Sequence, residues 1–283
     1  MTTGTLEETT QLVPTRLGRL HVRLLGRGEP VVLWHSMFTD SHSWDRLLPM
    51  LAEHRRLMVV DGPSCGLSDP LRQATNIAGC ADAAAELIEG LGAVTGGRPV
   101  SWLGNAWGGH VGLQLAASRP DLVRDLVAVS APTFPPPAHL QLKLRLLLPL
   151  YRLIGPRGPV RKAILDTLLT DHTRAVDPEG VELLVGRLTQ RPTVDAVRAI
   201  QTGIVNRTDL DRAALAVRCA VLFVTTDDRG EWTPQQARAV ATRMQNAREV
   251  TISGSRVVPI IEQPATTAAA LLSFWSEVGQ QHD

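Results

Sequence analysis

The stretch Val100-Ser-Trp-Leu-Gly-Asn-Ala-Trp-Gly-Gly-His-Val-Gly-Leu113 decides the fold. Its apolar start, Val100 to Leu103, reads as a buried strand, and the run Gly109 to Ser118 has helical spacing stopped by Pro120. Between them Gly104, Gly108 and Gly109 permit a sharp turn, because a residue without Cβ tolerates unusual φ values and close backbone approach. A strand-to-helix turn of this kind carries its central side chain above the sheet at a helix N-terminus, and here that residue is Ala106.

Outward from this turn, short apolar runs alternate with helical patterns, the signature of an α/β layered fold with a mostly parallel sheet. Arg19 to Leu25 alternates as an early antiparallel-type strand. Val31 to Trp34, Leu57 to Val60, Leu126 to Val129, Ala220 to Val224 and Glu249 to Ile252 read as buried strands. Ile77 to Leu91, Pro234 to Met244 and Thr266 to Val278 read as helices. The alternation breaks after Pro132, where Pro135, Pro136 and Pro137 open a region with helical segments and no convincing strand. Residues 134–212 are therefore expected to form an inserted helical cap over a core of residues 1–133 and 213–283. Within it, Ala138 to Leu165 carries Lys143, Arg145, Arg152, Arg157, Arg161 and Lys162 and no acid, interleaved with leucines. Two readings stand: an ordinary cap helix with leucines on the core and solvated arginines outside, or a basic surface for docking to a membrane, an acidic carrier protein or a second subunit.

Composition narrows the function classes. Over 283 residues, 29 Lys+Arg against 28 Asp+Glu leave a net charge of +1, which supplies no field for gathering nucleic acid or an anionic membrane. At 44% hydrophobic residues the chain is too apolar for disorder, yet no window reaches the roughly 18 uninterrupted apolar residues of a membrane span. The opening, Met1 to Gln11, lacks a basic start and an apolar stretch, so a cytoplasmic location is expected. Cys65, Cys80 and Cys219 are odd in number and widely spaced, so reduced thiols are expected rather than a disulfide framework or metal pair. Phosphate-loop and dinucleotide motifs do not fit the glycine spacing, and no cofactor is implied.

Gly104-Asn-Ala-Trp-Gly108 fits the G-x-S-x-G nucleophile elbow with alanine at its centre. Together with three further matches it makes the chain resemble the α/β-hydrolase superfamily. His35-Ser-Met-Phe38 resembles the family's oxyanion loop, with Ser36 where glycine is usual. Asp61-Gly-Pro-Ser-Cys-Gly-Leu-Ser68 resembles its D-x-x-G-x-G-x-S turn, and Arg119-Pro-Asp-Leu-Val-Arg-Asp-Leu-Val resembles the stretch after the elbow helix. The resemblance places the family's acid at Asp228, in preference to Asp227, and its histidine before Glu262-Gln-Pro264, where Arg256 or Val257 stands instead. Since no histidine occurs between His172 and His282, natural loss is the economical account of Ala106.

Without a hydroxyl at 106 no acyl-enzyme forms there, and without an imidazole no proton shuttle serves it. What the resemblance leaves is an oxyanion hole from the backbone amides of Met37 and Trp107, with polar steering by Ser36 and Asp228. Phe38, Trp44, Phe134 and Trp232 follow strand ends and are expected to line an apolar pocket with His35, Ala106 and Val257. Plainer roles are expected for His35 and His110 as structural histidines, Asp61 as organiser of its turn and Cys65 as an inert thiol. The leading expectation is a cofactor-free cyclase, isomerase or lyase for a hydrophobic small molecule, plausibly in specialised metabolism. The alternatives are a noncatalytic binding or receptor protein, or an esterase-like hydrolase that is atypical or inactivated at Ala106.

Overall fold

The apolar runs assemble into a sheet of eight strands in the computed structural model, which describes residues 7–280. The strands are β1 (Thr9–Thr15), β2 (Gly18–Gly26), β3 (Glu29–Trp34), β4 (Arg55–Val60), β5 (Val100–Asn105), β6 (Val123–Val129), β7 (Ala220–Thr226) and β8 (Ala247–Ile252). They lie in the order β1-β2-β4-β3-β5-β6-β7-β8. β1 and β2 are antiparallel to each other, and β2 is antiparallel to β4; every later pairing is parallel. Burial of both faces explains why β3, β5 and β6 are nearly continuous in apolar residues.

On the flanks lie α1 (Leu48–Ala52), α2 (Ile77–Gly90), α3 (Gly92–Thr95) and α4 (Trp107–Ser118). The segment between β6 and β7 holds α5 (Ala138–Ile154), α6 (Gly158–Leu168), α7 (Asp171–Val176), α8 (Pro178–Gln190), α9 (Thr193–Ile200) and α10 (Asp211–Ala216), with a π-helical turn at Gln201–Val205. After β7 come α11 (Pro234–Ala241), α12 (Pro259–Glu262) and α13 (Pro264–Gln280). No helix among the described residues is long and apolar enough to cross a membrane. Residues 1–6, part of the opening read for a targeting signal, lie outside the described residues.

β1 is the one strand absent from the periodicity. Thr9, Thr10 and Gln11 are exposed, Val13 alone is buried, and Pro14 suits a sheet edge, so no alternation marks it. α5 is similarly unobvious. Only Tyr151 is fully buried along it, while Leu142, Leu146 and Leu153 stand at 59%, 69% and 82% exposure beside solvated Arg145 and Arg152.

At the centre, α4 packs on β5 and β6 at backbone distance. Trp34 stacks on Trp102 with centroids 5.6 Å apart, and Trp107 meets Trp34 edge-on at 5.8 Å; all three are fully buried. The Trp102 indole donates to the Gly108 carbonyl at 2.9 Å. A Cβ at Gly108 would fall 1.9 Å from the Trp34 carbonyl oxygen, and one at Gly104 would fall 2.1 Å from the Gly108 carbonyl carbon. Backbone cannot yield as a side chain does, so Gly108→Ala is expected to cost about 3 kcal/mol or more in urea-unfolding free energy.

Candidate functional site

Ala106 sits where β5 turns into α4, in a left-handed conformation at φ 48° and ψ −104°. Strain at a non-glycine residue needs surrounding structure to hold it. Its N–H donates to the Val129 carbonyl at 2.7 Å, and its carbonyl accepts from His110 at 3.0 Å. The first amides of α4 have no carbonyl within the helix to receive them, which makes this end partially positive. Ala106, Ser36, Met37 and Phe38 border a cavity of about 360 Å³, within the usual range for small-molecule sites. Its far wall is leucine-rich, formed by α5 and α6 through residues such as Leu144, Leu148 and Ile164. Trp232 and Val257 close one side.

The arrangement corrects several expectations. Trp44 is fully buried in the turn Ser41–Trp44 and does not reach the cavity. Phe134 packs on Trp232, with centroids 5.8 Å apart, and supports the wall from behind. Trp107 places its side chain beneath the turn against Trp34 and His35, so at most its backbone faces the site. His35 is also absent from the cavity. Its Nδ1 donates to the Ser36 carbonyl at 2.5 Å, its Nε2 accepts from Gly62 N–H at 2.8 Å, and burial lowers its pKa. Aliphatic residues of α5 and α6 thus line much of the wall expected to be aromatic.

Asp228 is off the cavity wall as well. Its Oδ2 accepts from Arg256 Nη2 at 2.7 Å and Nε at 3.2 Å, while Asp227, more exposed, accepts from Gly254 N–H at 2.9 Å. The Arg256 guanidinium is almost completely buried and also donates to the Asp166 carbonyl and to Asp171 at 3.3 Å, so it ties the loop after β8 to α6 and α7. Glu262 reinforces that tie: one oxygen receives Thr170 N–H at 2.8 Å and Thr173 Oγ1 at 2.7 Å, and the other receives Arg256 N–H and Ser255 Oγ, both at 2.9 Å. From the opposite side, Arg191 donates to the Met37 carbonyl at 3.0 Å and fixes the loop carrying Ser36 and Met37.

Asp61 organises its own turn, as expected. Ser41 N–H, Leu67 N–H and His21 Nδ1 converge on its carboxylate at 2.7, 3.0 and 2.9 Å. Burial alone would raise its pKa, but the His21 hydrogen bond and these amides prevail and hold it at about 2. Cys65 is buried and its thiol is pushed up to about 12, which removes it as a nucleophile. No group of three His, Cys, Asp or Glu positioned to hold a metal ion occurs among the described residues.

Sequence reasoning missed the polar residues of the wall. Ser130, Tyr151 and Arg207 line the cavity from the end of β6, from α5 and from just beyond the π-helical turn. No local motif announces them, since their meeting depends on how the helices between β6 and β7 fold back over the sheet.

Residues 31–270 match the model of the alpha/beta hydrolase family, and the chain belongs to that family. A pimeloyl-[acyl-carrier protein] methyl ester esterase of Yersinia pestis is 34% identical over 107 residues, 38% of each protein. The chain thus spans about 38% of the length of the curated relatives of this kind that it matches. Among solved structures, a malate-bound thermophilic esterase from Thermogutta terrifontis superposes with a TM-score of 0.83 at 22% identity, covering 96% of this chain and 99% of that one. The enol-lactonase from Burkholderia xenovorans LB400 gives 0.82 at 18%, covering 94% and 100%. At these identities the structural matches establish the fold.

The lowered Asp61 pKa yields a stability prediction with a defined sign. The ordinary value of 3.8 falls to about 2 on folding, so the stabilisation is complete above about pH 4 and is lost as pH drops toward 2. Asp61→Asn should lose about 2 kcal/mol at neutral pH and flatten the acid limb of the stability curve, as read from urea unfolding at a series of pH values.

Proposed function

We propose that the chain is an esterase-like α/β hydrolase disabled at its nucleophile position, which binds an apolar ester or related carbonyl compound without forming an acyl-enzyme. One observation carries this reading: the turn, the helix terminus and the cavity meet at Ala106, whose methyl group cannot attack. The names of the relatives support an ester-type ligand over the cyclase, isomerase or lyase chemistry expected from sequence alone.

Proton transfer is blocked in the same way. Asp228 is engaged by Arg256, a guanidinium that has only N–H donors and no lone pair with which to shuttle a proton. Two histidines of the core beside the turn give no substitute. His35 is locked in the loop core, and burial keeps His110 neutral, its pKa well below the ordinary value, with Nε2 at 3.0 Å from the Pro132 carbonyl. The amides of Met37 and Trp107 are assigned the carbonyl oxygen, and Ser36, Phe38, Trp232 and Val257 shape the site. In this reading residues 134–212 act as the cap that supplies its apolar roof.

A second reading has the retained helix-terminal donors over Ala106 in its favour: they would stabilise an enolate in a cofactor-free rearrangement as well as they hold an ester. The two differ in product. On the main reading, p-nitrophenyl esters bind without burst or adduct by intact mass, and Ala106→Ser alone stays inactive for want of an imidazole. Adding Arg256→His, which sets imidazole against Asp228, should raise hydrolysis about a hundredfold or more over the single variant. Acyl transfer by the unaltered chain, or a folded double variant that binds ester and gains nothing, would defeat the proposal. Conversion of a bound compound to an isomer of equal mass would favour the rearrangement.

A further inference from the structure

The cavity wall contains buried polar atoms that find no hydrogen-bond partner among the described residues, which is unusual because buried polar groups are nearly always satisfied. Arg207 is the extreme case. Its side chain is 5% exposed, and both Nε and Nη2 lack an acceptor. The nearest carboxylate, that of Glu231, stands 4.0 Å from Nη2, beyond hydrogen-bond reach. Nη1 lies 3.3 Å from His110 Nε2, a nitrogen that also stands 3.0 Å from the Pro132 carbonyl. Burial lowers the guanidinium's pKa from an ordinary value so high that the group remains a cation.

Nε and Nη2 form one edge of the guanidinium fork, the edge that grips a carboxylate with two parallel hydrogen bonds. The same protein shows that edge in use. Arg23 Nε and Nη2 donate to the two oxygens of Glu8 at 2.9 Å each, and Arg19 holds Asp69 the same way at 3.0 and 3.1 Å. At Arg207 the edge is free and borders the cavity. Ser130 beside the end of β6 adds a second unsatisfied group: it lies on the wall at φ 49°, a conformation costly for serine, with its hydroxyl buried and unpaired. Charged residues bordering the cavity are Lys143, Arg207, Arg229 and Arg256 against Asp166 and Glu231, so the balance favours an anion.

We propose that Arg207 and Ser130 form a carboxylate subsite, so that the ligand is an apolar molecule with a carboxylate at one end and its chain along the leucines of α5 and α6. This rests on the pocket reading above and names the ligand class for it. The probes are decanoate and its methyl ester, with dissociation constants from quenching of tryptophan fluorescence or from calorimetry. Decanoate should bind the unaltered protein about tenfold or more tightly than methyl decanoate. Arg207→Met should abolish that preference while still binding the ester, and Arg207→Lys, which keeps the charge but not the fork, should keep only part of it. Without ligand, Arg207→Met should also raise the melting temperature, because it removes a buried charge that no carboxylate hydrogen-bonds, whereas an arginine serving the fold would give a lower one. Equal affinity for acid and ester, a preference that survives Arg207→Met, or a lowered melting temperature in that variant would overturn the subsite alone. If neither compound binds, the pocket reading falls with it.

Discussion

The close approach of α4 to β3 and β5 is the constraint on which the site depends. Gly108 lies so near the Trp34 carbonyl that no side chain fits between them, and Gly104 leaves the strand where Gly108 begins to pack. That contact aims the start of α4 at the cavity and holds Ala106 in a conformation an alanine would not adopt alone. The three buried tryptophans brace it from below. A turn this tightly determined draws its stability from packing and not from the residue at its tip.

Around that turn the polar network secures geometry. The Asp228–Arg256 pair, extended by Glu262 to Thr170 and Thr173, fastens the loop after β8 to the overlying helices. Arg191 does the same for the loop carrying Met37. Both attachments cross from the sheet to the segment between β6 and β7, so the shape of the cavity is set by ion pairs and hydrogen bonds at its margins. Its interior is left to leucines, to Ala106 and to the unsatisfied atoms of Arg207 and Ser130.

Much of the scaffold was legible in the sequence because buried parallel strands and glycine-paved turns leave local signatures. Every strand was found except β1, whose exposed threonines carry no alternation. Ala106, Ser36, Met37, Phe38, Trp232 and Val257 border the cavity. Trp44, Phe134 and His35 do not, since lying just past a strand end fixes a residue's height above the sheet but not which way its side chain turns. Arg207 was illegible for a different reason: the absence of an acceptor around a side chain is a property of three-dimensional surroundings, and no pattern of neighbours in the chain encodes it.

The thin roof carries a further consequence. α5 walls the cavity with one flank and leaves Leu142, Leu146 and Leu153 in water on the other, with Tyr151 its only fully buried residue. Lifting such a helix would uncover half-buried leucines, whereas parting the sheet would expose fully buried tryptophans. Displacing α5 therefore costs less buried apolar surface than parting the sheet beneath it.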